Sequence, residues 1–177
     1  MKTNRNLFCA VVTLLLFTNL MFAQFNKTDS IGNFYVIENK LMWQKNYPLD
    51  DVNELDEHLK NNHFTSTLDI LNYSTSAKSM ISYIEGVNLP QYTKQGFEAF
   101  IIIDLIQDRY RVTVRDITFP EYVQTSYYNG FKDNRGGTLD HYILRTYDHE
   151  IKRNSGTYNI LDTFNSSFDA SFNLNEE

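Results

Sequence analysis

The stretch FIIIDLIQDRYRVTVRDITF, Phe100–Phe119, constrains the fold more than any other because its apolar residues recur at a period of two. From Phe97 through Ala99, Ile101 and Ile103 to Leu105 every odd position is apolar, and after the polar break Gln107-Asp108-Arg109 the even positions Tyr110, Val112 and Val114 take over. That is the rhythm of two strands turning one face to a core. With a hairpin tip at Asp108-Arg109, Leu105 stands opposite Val112 and Ile103 opposite Val114. The same register puts Asp104 diagonal to Arg111 and Arg115 on the other face. These aspartates and arginines therefore read as a solvated sheet face rather than as a catalytic constellation. Past Arg115 the apolar parity flips to Ile117 and Phe119, which predicts a β-bulge or strand end near Arg115-Asp116.

Upstream, Asn33–Pro48 reads as one long strand in which Tyr35, Ile37, Leu41 and Trp43 share a parity, with Asn39 as the exception and Pro48 as the stop. Asp51 stands three residues before Glu54, a capping arrangement, and Val52, Leu55 and Leu59 form one apolar stripe, so a helix is expected from Asp51 to Asn62. FTSTLDILNY and SMISYIEGVNL are the next strand candidates, separated by the turn-rich STSAK. Gln124–Arg153 reads as a long loop, broken by Asn129-Gly130 and Gly136-Gly137; within it TLDHYILRTYDHE suits a helix through Leu139, Tyr142 and Ile143 or a strand through Tyr142, Leu144 and Thr146, with extended structure slightly favoured. Leu161, Phe164 and Phe168 lie at helical spacing and predict a closing helix over Thr157–Phe168.

The N-terminus decides where such a domain works. Lys2 and Arg5 precede an almost uncharged run from Leu7 to Phe22 and the small residue Ala23, the pattern of a secretory signal peptide cut after Ala23. A retained anchor is the competing reading, since Leu7–Ala23 is 17 residues long, at the lower limit for a helical span. Cys9 is the single cysteine and stands near the start of the run, where a lipid-bearing cysteine would stand at its end. Without the signal peptide, 154 residues remain, enough to bury about two-thirds of the unfolded surface without a disulfide. They hold 14 basic and 22 acidic residues, a formal charge of −8, which disfavours nucleic acid and anionic lipid surfaces as partners. The expected organisation is a signal peptide at 1–23, a flexible lead at 24–33, a single α+β domain at 34–172 and a tail at 173–177. Asp29-Ser30-Ile31 in the lead has the look of a short O-glycosylation acceptor of some exported bacterial proteins.

Sharper chemistries find little support. His58 and His63 are five apart, whereas paired zinc ligands on a helix stand three or four apart. His141 and Asp148-His149-Glu150 add no ligand spacing, so no metal site and no cofactor is expected. Mature cysteine and the G-x-S-x-G elbow are both absent, and Gly136-Gly137 lacks a phosphate-binding frame. Almost any two of the acidic residues could serve as a carboxylate pair, which leaves hydrolysis of envelope polymers as an unspecific alternative. The aromatic residues Tyr127, Tyr128 and Phe131 are the candidate binding residues, since exposed rings stack on sugars or on a partner protein.

The order of elements, with FYVIENKLMWQKNY, LDILNYSTSAKSMISYIEG and FIIIDLIQDRYRVTVRDITF, resembles the exported Bacteroidota domains of unknown function numbered family 4468. The likeness covers Asn33–Phe119 and the final helix, with Gln107–Arg111 matching the family's hairpin tip, although Asp-Arg stands where the family has Asp-Gly. It implies a TATA-binding-protein-like α+β fold: a curved antiparallel sheet of about five strands, in the order β-α-β-β-β-β-α, packed on two helices. It implies no activity and no catalytic residue. The sequence thus points to an exported, non-enzymatic domain, periplasmic or extracellular, that spans no membrane after cleavage and binds a protein, glycan or envelope component. N-terminal sequencing of the exported protein should begin at Gln24; a chain that keeps Met1 in the membrane fraction would show the anchor instead.

Overall fold

A computed structural model of the chain describes residues 29–70, 73–128 and 131–174; the expected signal peptide and the start of the expected lead lie outside them, as do the last three residues. The strands are β1 (Asp29–Ile31), β2 (Phe34–Ile37), β3 (Lys40–Pro48), β4 (Ser74–Lys78), β5 (Glu98–Ile106), β6 (Arg109–Tyr128) and β7 (Phe131–Thr138). Helix α1 (Val52–Asn61) follows β3, and α2 (Leu139–Ile143) and α3 (Ser155–Phe172) close the chain after β7. All strand pairs are antiparallel, in the order β1-β2-β3-β6-β5-β4 with β7 also on β6. The fold is α+β, as expected, but with seven strands rather than about five and three helices rather than two.

The 20-residue β6 is the spine. Its first part pairs with β3 on one edge and β5 on the other, and Thr118 faces Glu98 on β5 and Thr138 on β7, so β7 continues the edge that β3 occupies. The β5–β6 hairpin turns at Gln107-Asp108, one step before the expected tip, because Gln107 takes a left-handed φ of 52°. Leu105 therefore pairs with Tyr110 and Ile103 with Val112. Moving the tip by one residue shifts each pairing by two, which keeps every side chain on its expected face. The predicted bulge lies at Asp116, with φ 51°: two residues of β5, Glu98 to Phe100, span three of β6. That extra residue turns Ile117 and Phe119 inward, both buried.

Elsewhere tertiary pairing overrides local pattern. The long first strand is two strands, folded at Glu38-Asn39 with φ of 51° and 63°, which explains Asn39 as the exception. Across that turn the parity flips: Phe34 and Val36 are buried, whereas Ile37 is 38% exposed. STSAK, expected to be a turn, is β4 itself, an edge strand held by backbone pairing to β5 that needs no apolar side chains. Its expected flanking strands are mostly turns and irregular chain, from which Phe64, Leu68, Ile84 and Leu89 plug the core. The expected loop over 124–153 holds the end of β6, β7 and α2, and beyond α2 Leu144 bridges Ile151. Part of the expected lead, Asp29–Ile31, is strand β1.

The helices follow their caps. Asp51 accepts from Asn53 N at 2.8 Å to start α1, and Asn154 accepts from Thr157 N at 2.9 Å to start α3. Helix α3 is longer than its apolar stripe suggested and buries Ile160, Leu161, Phe164, Phe168 and Phe172 against the sheet. Rings of α3 meet those of the strands: Trp43 lies 5.3 Å from Phe168 and 6.0 Å from Phe172, and Phe97 lies 5.0 Å from Phe164. This burial offsets the poor helix formers Asn, Ser and Thr in α3.

The other face of the sheet is the wet one. One row of neighbours runs Ser30, Tyr35, Met42, Arg115, Phe100 and Lys78 across six strands, with the Arg115 guanidinium 5.0 Å over the Phe100 ring. Another joins Ser74, Asp104 and Arg111, where Asp104 accepts from Ser74 at 2.7 Å and from Arg111 at 2.8 Å. Burial pushes the Asp104 carboxyl up, but the Ser74 and Arg111 donors outweigh it and hold the group below its ordinary 3.8. A carboxylate held low in the folded state contributes stability that is present above its ordinary value and lost as pH falls through the lowered one. Urea unfolding followed from neutral pH into the acid range should therefore show a shallower loss of stability for Asp104→Asn than for the native chain.

Candidate functional site

The tight β1–β2 turn and the flank of α3 enclose an open groove of about 380 Å³. Ile31↔Phe34 is the last pair of the β1–β2 hairpin, which leaves Gly32 and Asn33 as its two-residue turn; Gly32 supplies the left-handed φ of 58°. Ile31, Phe34 and Leu161 give the groove an apolar lining, and Asn33, Asp162 and Asn165 give it polar groups. Tyr158, 43% exposed, stands at its side. Nearby, Arg153, just before α3, pairs with Asp29 of β1 at 2.6 Å, which joins the two sides of the groove.

The polarity of the groove is set from the core. The fully buried Trp43 indole can only donate, and its Nε1 lies 2.9 Å from the Asn165 side chain. The atom facing it must be the Asn165 carbonyl, Oδ1. That oxygen also lies 2.8 Å from the Asn33 amide, which must then present Nδ2. Both carboxamides are thereby fixed: Asn165 Nδ2 and the side-chain oxygen Oδ1 of Asn33 make no hydrogen bond to the described residues. The exposed Asp162 carboxylate likewise has no hydrogen-bond or ion-pair partner among the described residues. No sequence signal marked Asn33 and Asn165, because they are far apart in the chain and only the packing of α3 on the sheet joins Asn165 to Asn33 and Trp43.

The candidate residues Tyr127 and Tyr128 lie at the end of β6 and Phe131 at the start of β7, where Tyr128 pairs with Phe131 and Tyr127 with Lys132. Backbone register thus gathers the three at the tip of the β6–β7 hairpin; their side chains lie outside the described residues. It does not join them to the groove's lining.

The remaining singled-out residues are engaged structurally. His58 Nε2 donates to the Ser171 carbonyl at 3.1 Å, tying α1 to α3. Asp148 and Glu150 both pair with Arg145. Asp29 accepts from Ile151 N at 2.7 Å as well as from Arg153, while Ser30 is exposed. Asp169 accepts from Lys45 at 2.5 Å and from the Tyr47 hydroxyl at 2.7 Å. Beside it, burial pushes the Tyr110 phenol well above its usual range, and the hydroxyl donates to the Phe172 carbonyl. Among the described residues no three His, Cys, Asp or Glu side chains form a group that could hold a metal ion, and no helix is long and apolar enough to cross a membrane.

No family model matches the sequence, and no curated protein matches it. Two solved structures are similar. A DUF4468 family protein from Bacteroides ovatus is 13% identical, with a TM-score of 0.45 over 83% of this chain and 93% of that one. A TBP-like protein from Parabacteroides distasonis is 14% identical, with a TM-score of 0.41 over 80% of this chain and 97% of that one. These neighbours bear the family and fold names that the strand patterns resemble, and their likeness carries no activity to this chain.

Asn165→Leu should leave the buried Trp43 N–H without an acceptor and lower stability by about 1–3 kcal/mol in urea unfolding. An unchanged midpoint would mean that the indole does not hold the groove.

Proposed function

We propose that the chain is an exported, non-enzymatic domain that binds a component of the cell envelope, a protein or a glycan, and that the groove between the β1–β2 turn and α3 receives it. One observation carries this reading: the groove offers carboxamide groups locked in orientation and a carboxylate without a partner. Preset donors and acceptors over an apolar lining are what a binding site requires. Hydrolysis of an envelope polymer would require two carboxyl groups flanking the scissile bond. The groove's lining contains one, Asp162.

The N-terminal pattern of Lys2, Arg5 and the run to Phe22 supports export to the periplasm or beyond. The acidic balance of the remaining chain supports a partner other than nucleic acid. A second contact is proposed at the hairpin tip, where register brings Tyr127, Tyr128 and Phe131 together. Sedimentation with isolated envelopes tests both contacts. Asp162→Ala with Tyr158→Ala should cut the bound fraction about tenfold without lowering the melting temperature, since both side chains are exposed. Replacing Tyr127, Tyr128 and Phe131 with serine should weaken binding as well. Full binding by the first variant would remove the groove, and full binding by the second would remove the tip.

A further inference from the structure

Resting on that reading, the geometry points to a narrower ligand: we propose that the groove binds a short neutral saccharide segment. The two locked carboxamides present a donor, the Asn165 NH₂, beside an acceptor, the Asn33 carbonyl oxygen, since the amides of the two side chains are joined at 2.8 Å. A hydroxyl group both donates and accepts, so one hydroxyl or an adjacent pair satisfies both positions. The Asp162 carboxylate accepts only and suits the O–H donors of neighbouring hydroxyls, to which it makes charge-assisted bonds. The same charge repels phosphate and carboxylate groups, which disfavours an anionic ligand.

The remaining lining suits the other side of a sugar. Pyranose rings expose C–H groups on one face, and the exposed Tyr158 ring with the half-buried Ile31 side chain offers them a surface, over a floor closed by the buried Phe34 and Leu161. A volume of about 380 Å³ falls at the small end of ligand sites and fits a short segment rather than a folded partner. The carboxamides need no reordering on binding, because Trp43 already holds them, and that lowers the entropic cost of binding. A peptide could also meet one donor and one acceptor, and its N–H groups could reach the carboxylate, so a peptide is the control that the test must include.

The test is isothermal titration of the purified exported chain with four neutral trisaccharides, namely chitotriose, cellotriose, maltotriose and mannotriose, and with trialanine amide as the peptide control. At least one trisaccharide should bind, and Asp162→Ala and Tyr158→Ala should each weaken it about tenfold with the melting temperature retained. The inference is overturned if no trisaccharide binds, if only trialanine amide binds, or if binding is unchanged in both variants. Envelope sedimentation separates the two levels. Loss of envelope binding in Asp162→Ala without affinity for any trisaccharide would leave a binding groove but remove its saccharide, whereas absence of both would remove the groove as a site.

Discussion

A buried indole that must place its one proton is the constraint on which this structure turns. Trp43 is fully buried under Phe168 and Phe172, and an unpaired N–H there would cost about 1–3 kcal/mol, a large part of the stability of a domain of this size. Asn165 on α3 supplies the acceptor and so fixes how the helix sits on the sheet. The same bond also decides which atoms of Asn165 and Asn33 face the groove. One hydrogen bond thus links the core to the surface, and the polarity proposed for the groove depends on a fully buried residue.

The sheet divides its labour by face. The side toward α1 and α3 is a layer of rings and branched chains, and the outer side is a lattice of paired charges, hydroxyls and half-buried apolar residues. Outer pairs such as Asp104 with Arg111 are partly exposed, so each contributes modestly to stability; their larger effect is to keep an open sheet face wet. The edges carry little apolar surface: β4 is Ser, Thr, Ser, Ala and Lys. In a two-layer domain of this kind the turns and hairpin ends lie at the rim, where the groove and the β6–β7 tip proposed as contacts are both found.

Local pattern was legible wherever burial was periodic. The alternation in β5 and β6, the parity flip at Arg115-Asp116, the Asp51 cap and the stripe of α3 all read correctly, because each reflects one face meeting one core. Errors arose where a strand is held by its neighbour's backbone rather than by its own side chains. STSAK has no apolar signal, yet it pairs with five residues of β5. Phe64 and Leu68 mimicked a strand and instead pack inward from turns that follow α1. Asn39 broke the first strand's rhythm, and a left-handed turn at that point reversed which residues face inward.

By itself the sequence determined the class of fold, the faces of the central hairpin, the two long helices and an acidic chain whose single cysteine has no partner within it, since spacing and composition are local properties. It did not determine the groove. Asn33 and Asn165 are 132 residues apart and unremarkable as amino acids; only the docking of α3 over the sheet brings the Asn33 amide and the Trp43 indole to one Asn165 oxygen. Their chemistry comes from orientation, and orientation is decided by partners that lie near in space and far along the chain.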